Sequence, residues 1–404
     1  MSAYDSVFLR PERDYRIDFF RGVALVMIFI NHIPGVLWEN FTSRNFGFSD
    51  SAEVFVFLAG VASAFAYGRL FLEGSPLIAS LKAARRAGVL YLVHIALTMA
   101  VISLFIWFAL ALGKGDILRQ IGLGPLLTQP LDALYGIATL GNQLGYLNIL
   151  PLYAALLLML PLMLLGIRWI GLKGFLVASL AVWLVFGLAR INIPNYPNAG
   201  GWFFNPFSWQ LIFALGLYTG FQKLRGQPAL PYSPRLYVMA LGFLAFAWAF
   251  VGFGWWSVER MIPLPSLFVG FDKTYASIPR LLHLVALVYV FAHAPKMSPF
   301  SRVGAANPLT MLGRHSLPVF AVGTFLSLLA QALRFGNETT LAYDTALVTG
   351  GLAIQFALAR YLDWWHVASK PQKAVRASNA ASREEQPRDA QPAQAMAPAA
   401  RRTP

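Results

Sequence analysis

In "RGVALVMIFINH", residues 21 to 32, a guanidinium and an imidazole stand eleven residues apart in an otherwise apolar stretch. At about 100° per residue the offset between Arg21 and His32 is roughly 20° and the rise about 16 Å, so a helix puts both on one face. Asp18 precedes Arg21 by one turn, a spacing that lets the two pair. The stripe therefore has a phosphate-capable cation at one end and a titratable group at the other, with Asn31 beside the imidazole. Ionisable and amide groups are costly in a lipid-facing stretch unless they have partners or work to do. Such a stripe suits a long anionic molecule whose reactive end lies at His32. The plainer alternative is a snorkelling Arg21 and a packed, hydrogen-bonded His32.

Further polar residues could complete a site. Asp50 and Glu53 have the spacing of a helix N-cap and its reciprocal carboxylate. The loop before them is short, so Glu53 should enter at the depth of His32, where a carboxylate could orient the ring and stabilise its protonated form. Capping alone and capping plus catalysis both fit that spacing. Arg280 and His283 form a second patch, placed by depth to meet an extracytoplasmic substrate. Arg314, His315 and Ser316 form a third, placed to help bind phosphates; each patch also has a purely structural reading. The six histidines are spread over five segments with no His-x-x-x-His pair, and the chain has no cysteine, so no metal-ligand pattern is present. Trp202 and Trp209 in "GWFFNPFSWQ" fit either a sugar-stacking pair or an interfacial aromatic belt, the reading also given to Trp255, Trp256, Trp364 and Trp365.

The elements that must position these groups are membrane helices. Hydrophobic residues make up 57% of the chain and charged ones 12%, against about 25% charged in soluble domains. Ten segments approach the roughly 20 apolar residues a span requires: 17–38, 54–72, 87–112, 144–167, 174–191, 206–222, 236–256, 278–294, 310–332 and 344–366. The expected fold class is an all-α polytopic membrane protein, with a cytoplasmic lead over 1–16, a transmembrane domain over 17–366 and a disordered cytoplasmic tail over 367–404. Gly216 and Gly220 supply a small-xxx-small packing face. No cleavage site follows the first span, which should remain as an anchor. The outer connections 113–141 and 257–277 are the long ones, and the first should lie along the interface or re-enter.

The net charge of +14 might point to nucleic acid, but its distribution argues against that partner. With the N-terminus inside, Arg10, Arg13, Arg16, Lys82, Arg85, Arg86, Arg168, Lys173, Lys223, Arg225, Arg235, Lys296, Arg302 and the basic tail are cytoplasmic. Only Arg44, Lys114, Arg119, Arg190, Arg260, Lys273 and Arg334 are outside. That is the positive-inside bias of ten spans with both termini in the cytoplasm.

The Arg-x10-His pattern of the first span, "EVFVFLAG" at 53–60 and "LGRHSLPVF" at 312–320 together resemble the membrane-bound acyltransferase family 3. More narrowly, "RDYRIDFFRGVALVMIFINHIP", "FGFSDSAEVFVFLAG", "NPFSWQLIF", "RLLH" and "LGRHSLPVF" resemble the OpgC family, which succinylates osmoregulated periplasmic glucans. The likeness covers roughly residues 13 to 366, is strongest before residue 60 and leaves out the tail. Ala59 stands where a serine is usual, so that position has no hydroxyl role.

The resemblance implies an inner-membrane O-acyltransferase that uses succinyl-CoA as co-substrate, with no tightly bound cofactor, and a periplasmic β-glucan as acceptor. Its partners would be the lipid bilayer and the glucan-synthesis machinery. It implies His32 as the catalytic histidine, Glu53 as its support and Arg21 as a donor-binding residue. The spacing argument places Asp18, Asn31, Asp50, Arg280, His283, Arg314 and Ser316 around them. Acetyl transfer to another envelope glycan, a glycan or lipid transporter, and a non-catalytic scaffold are the alternatives. Direct transfer and an acyl-histidine intermediate both fit the residues.

Overall fold

The computed structural model describes residues 13–369 except 296 and 338. Most of the expected lead, residues 1–12, and nearly all of the expected tail, from 370 on, lie outside the described residues, as do Arg10 and Lys296.

The helices are α1 (Tyr15–Asn31), α2 (Ser51–Glu73), α3 (Pro76–Leu112), α4 (Pro130–Ala138), α5 (Ile149–Leu188), α6 (Pro206–Leu224), α7 (Pro234–Gly252), α8 (Ile278–Ala292), α9 (Pro308–Arg314), α10 (Ser316–Arg334) and α11 (Leu341–Ala368). No strand occurs among the described residues beyond one isolated bridge, Pro194 with Gly201. The starts follow a recurring local rule: a polar cap, then proline where the missing N–H is harmless. Ser75-Pro76, Asn205-Pro206 and Asn307-Pro308 each begin a helix in which the cap side chain accepts a backbone N–H.

Six helices are long and apolar enough to cross a membrane by length and composition: α2, α3, α5, α7, α10 and α11. That measure does not confirm the expected count of ten. Two expected spans lie within α5 on either side of a kink at Gly171 (φ 73°), which divides its 40 residues into two helical stretches. Helix α1 has only 17 residues and carries Asp18 and Arg21, and α8 has 15. Outward faces are apolar, as with Trp107 at 61% and Leu162 at 72% exposure, which suits a lipid surround rather than water. The 113–141 connection folds into short helical pieces ending in α4.

Two close helix pairs set the frame. The small-xxx-small face packs α6 on α2: a Cβ added at Gly216 would lie 2.1 Å from the Phe57 carbonyl oxygen, and one at Gly60 2.2 Å from that of Phe213. Helix α1 meets α9 in the same way, with a Cβ at Gly22 1.9 Å from the Leu309 oxygen and one at Gly313 1.7 Å from the Asp18 oxygen. Backbone contact at these points fixes the depth at which α1 and α2 present their polar ends.

Candidate functional site

Helix α1 delivers His32 by stopping there, six residues short of the expected end of the span. Ile33 precedes Pro34, which disfavours the helical region, and Gly35 turns the chain at φ 82°. His32 becomes the C-cap. Its carbonyl accepts a hydrogen bond from Gln331 Nε2 at 2.6 Å, and its ring centroid lies 4.7 Å from that of Tyr146. Its Nδ1 is buried with no hydrogen-bond partner. Asn31 Oδ1 accepts from Thr42 Oγ1 at 2.5 Å, tying the helix end to the following loop.

His32 and Asn31 line a cavity of about 720 Å³, a size suited to a small-molecule substrate. Ile28, Ala52 and Phe320 line its apolar part. Arg44, Asp50, Lys273 and Arg280 bring charge, Tyr146 and Asn148 neutral polar groups, and Phe203, Phe204, Trp256 and Phe271 aromatic rings.

The carboxylates organise the cations. Asp50 and Glu53 form a complete capping box at the start of α2. Glu53, fully buried, accepts the Asp50 N–H at 2.9 Å through Oε2 and Arg280 Nε at 2.6 Å through Oε1. Asp50 Oδ2 pairs with Lys273 Nζ at 2.5 Å and with Arg280 Nη2 at 3.5 Å. Burial alone would raise the Asp50 carboxyl pKa, but the Lys273 ammonium and Arg280 guanidinium hold it well below the usual range, so this group stays an anion.

A model of the OpgC protein family matches residues 13–367. The chain belongs to the OpgC family. Comparison with curated proteins and with solved structures returned no match. OpgC membership supports a glucan-related acyltransferase function in general terms.

In this OpgC-family chain, the expected site residues separate into two groups. His32, Asn31, Asp50 and Arg280 line the cavity, with Glu53 directly behind Arg280. Among the described residues no hydrogen bond joins Glu53 to His32; both carboxylate oxygens serve Arg280 and the capping box. His283 is a strut rather than a wall: Nδ1 accepts the Ser49 N–H at 3.3 Å and lies 2.7 Å from the Ser49 hydroxyl. Its Nε2 sits 1.9 Å from where a Gly47 Cβ would be, so glycine makes room for the ring.

Arg21, Asp18, Arg314 and Ser316 do not line this cavity. The Arg21 guanidinium donates to the Leu58 carbonyl at 3.4 Å and lies 3.6 Å from Asp18, whose stronger partner is Arg13 at 2.7 Å. Asp14 caps α1 and pairs with Arg16 and Lys223; burial would raise its pKa, but those two cations hold it well below the ordinary carboxylate range. Leu25 and Ile28 occupy the stripe between Arg21 and His32 and are buried in the main core, at 2% and 9% exposure. An open shaft joining the two groups is therefore absent from this conformation. Arg314 binds both oxygens of Asp363 at 3.0 Å, and His315 Nε2 lies 2.7 Å from the same carboxylate.

The tryptophan readings also change. Trp209 is fully buried with Nε1 donating to the Lys273 carbonyl at 2.9 Å, and Trp202 is 5% exposed, so neither a sugar face nor a belt is available to them. Phe203, Phe204 and Trp256 face the cavity instead. Arg44, Lys273, Tyr146 and Asn148 were also not picked out by spacing. The available signal was topological: the charge pattern had put Arg44, Lys273 and the long connections on one side.

Proposed function

We propose that this protein is an inner-membrane O-acyltransferase that moves a succinyl group from succinyl-CoA to hydroxyls of a periplasmic glucan. The observation that carries the reading is His32 in an OpgC-family chain: an imidazole at a helix end, with one nitrogen unpartnered, facing a cavity of substrate size. The ring takes the proton from an attacking sugar hydroxyl as the oxygen bonds to the thioester carbonyl. The carbon–sulfur bond breaks, and the departing sulfur receives the proton. Lys273 and Arg280, fixed by Asp50 and Glu53, supply positive potential for the oxyanion that forms in between. Glu53 acts through Arg280 as a positioning residue. Phe203, Phe204 and Trp256 offer ring faces to the pyranose.

The donor enters from the Arg21 end, which the charge pattern assigns to the cytoplasm together with both termini. Arg21 is loosely held and fits a donor phosphate better than Arg314, which Asp363 already engages. In this reading the pantetheine arm reaches His32 only if Leu25 and Ile28, now packed in the main core, are displaced. No tightly bound cofactor takes part, and placement within the wider acyltransferase family 3 belongs to this proposal. Mass spectrometry of periplasmic glucans from cells with and without the protein tests it: the expected difference is whole succinyl units, each adding a negative charge. Identical glucans from both strains contradict it, and an acetyl increment shifts the reading to acetyl transfer.

A further inference from the structure

The wall around His32 contains three cations and one carboxylate, with Glu53 behind as a second. Lys273 and Arg280 each contact those carboxylates at 2.5 Å. Arg44 is different. The nearest carboxylate to it is Glu39, at 3.9 Å and with no hydrogen bond, and its side chain is 52% exposed. That separation and exposure make the pair weak.

Arg44 is nevertheless held in place. It sits in a short 3-10 turn, Ser43–Asn45, whose ends are anchored on both sides. The Ser43 and Ser51 hydroxyls lie 3.0 Å apart, and Asn45 Nδ2 donates to the Glu39 carbonyl at 2.7 Å. The Ser43–Ser51 contact ties the turn to the start of α2, so the backbone is held while the Arg44 side chain reaches the cavity wall with no hydrogen bond of its own among the described residues. Tyr146, which contacts the His32 ring, lines the same space. Asn148 and Ile149, at the start of α5, line the cavity too, so the positive end of that helix borders it. A guanidinium on an anchored turn, held only by a long pair to Glu39 at 3.9 Å and lining the same cavity as the proton-handling His32, leaves room for a negative charge that the substrate brings.

We infer that Arg44 is a specificity residue that binds the free carboxylate of a dicarboxylic acyl group while the thioester carbonyl lies at His32. The inference rests on the acyltransferase reading above. The planar fork of arginine matches a carboxylate in bidentate fashion, and a neutral acyl chain of equal length leaves that fork unpaired. A carboxylate carried by the glucan offers the same chemistry from the other substrate, and the test separates the two.

Purified protein in detergent is assayed with a neutral glucan and with succinyl-CoA or butyryl-CoA, which share a four-carbon acyl chain and differ in the terminal charge. Arg44→Gln should lower the ratio of kcat/KM for succinyl over butyryl by about 10- to 100-fold, as loss of a charged hydrogen bond predicts. Arg44→Lys, which keeps the charge and loses the fork, should fall between. Because Arg44 lies on an exposed turn, both variants should elute from size exclusion as the wild type does. An unchanged ratio in Arg44→Gln overturns the inference and leaves the acyltransferase reading intact. So does an effect that appears equally with both donors and only when the glucan is anionic. Wild-type protein that releases CoA from neither donor removes the acyltransferase reading, and the inference with it.

Discussion

Where α1 meets α9, Gly22 and Gly313 bring backbone against backbone, and Arg13, Arg16 and Lys223 close onto Asp14 and Asp18. At the other end of α1, the chain around His32 opens: helix ends and loops surround about 720 Å³, and the carboxylates hold Lys273 and Arg280 at its edge. Both ends are rich in charge. The difference is that one end uses it to close a joint and the other to line a space. A polar cluster in a membrane helix thus points to a site only where the packing leaves room for a substrate.

The comparison breaks most visibly at Glu53. Glu53→Gln leaves Arg280 buried with its main counter-charge gone, and removing one partner of a buried pair should cost about 3–5 kcal/mol, read as a lower thermal unfolding midpoint in detergent. A change as small as that of an exposed pair would show that the cavity edge is not built on this carboxylate.

Next comes the contrast between two glycines. Gly313→Ala drives a Cβ to 1.7 Å from the Asp18 oxygen and should destabilise by about 1–3 kcal/mol. Gly145→Ala, at the cavity, meets nothing closer than 3.7 Å and should stay within about 0.5 kcal/mol of wild type. Equal losses at both positions would erase the distinction between closed joint and open space.

The donor end provides the smaller effects. Arg21→Gln should raise the succinyl-CoA KM about tenfold, the scale of one charged hydrogen bond, with kcat largely retained. Arg314→Gln should lose about 1 kcal/mol or less of stability, because its pair with Asp363 is partly exposed, and leave the donor KM near that of wild type. Steady-state kinetics on the two variants sharpens the assignment; the reverse order would move the phosphate site to α9.

What the sequence made legible was mostly local. Helical class, the Asp50–Glu53 capping box and the Gly216–Gly220 packing face follow from spacing within a few residues, and the structure contains each. The end of α1 was also written locally, in Ile33-Pro34-Gly35, though hydropathy carries the expected span past it. The walls of the cavity were not legible, because Arg44, Tyr146, Phe204, Trp256 and Lys273 come from four connections far apart in the chain that only tertiary packing brings together. Pairings across the fold were hidden for the same reason. Glu53 and Arg280 both stand out in the sequence, yet 227 residues separate them, and spacing alone assigned the carboxylate to the nearer histidine. Asp363, the partner of Arg314 and His315, lies 49 and 48 residues away near the end of α11, with no local pattern that links it to them.

One assay bears on the central claim most directly: free CoA released from succinyl-CoA by the purified protein with and without glucan, compared between wild type and His32→Ala. If the imidazole at the end of α1 handles the proton of the attacking hydroxyl, release depends on glucan and falls by about 100-fold or more in the variant, while its unfolding midpoint stays near that of wild type. Full glucan-dependent turnover by a folded His32→Ala protein would place the chemistry elsewhere.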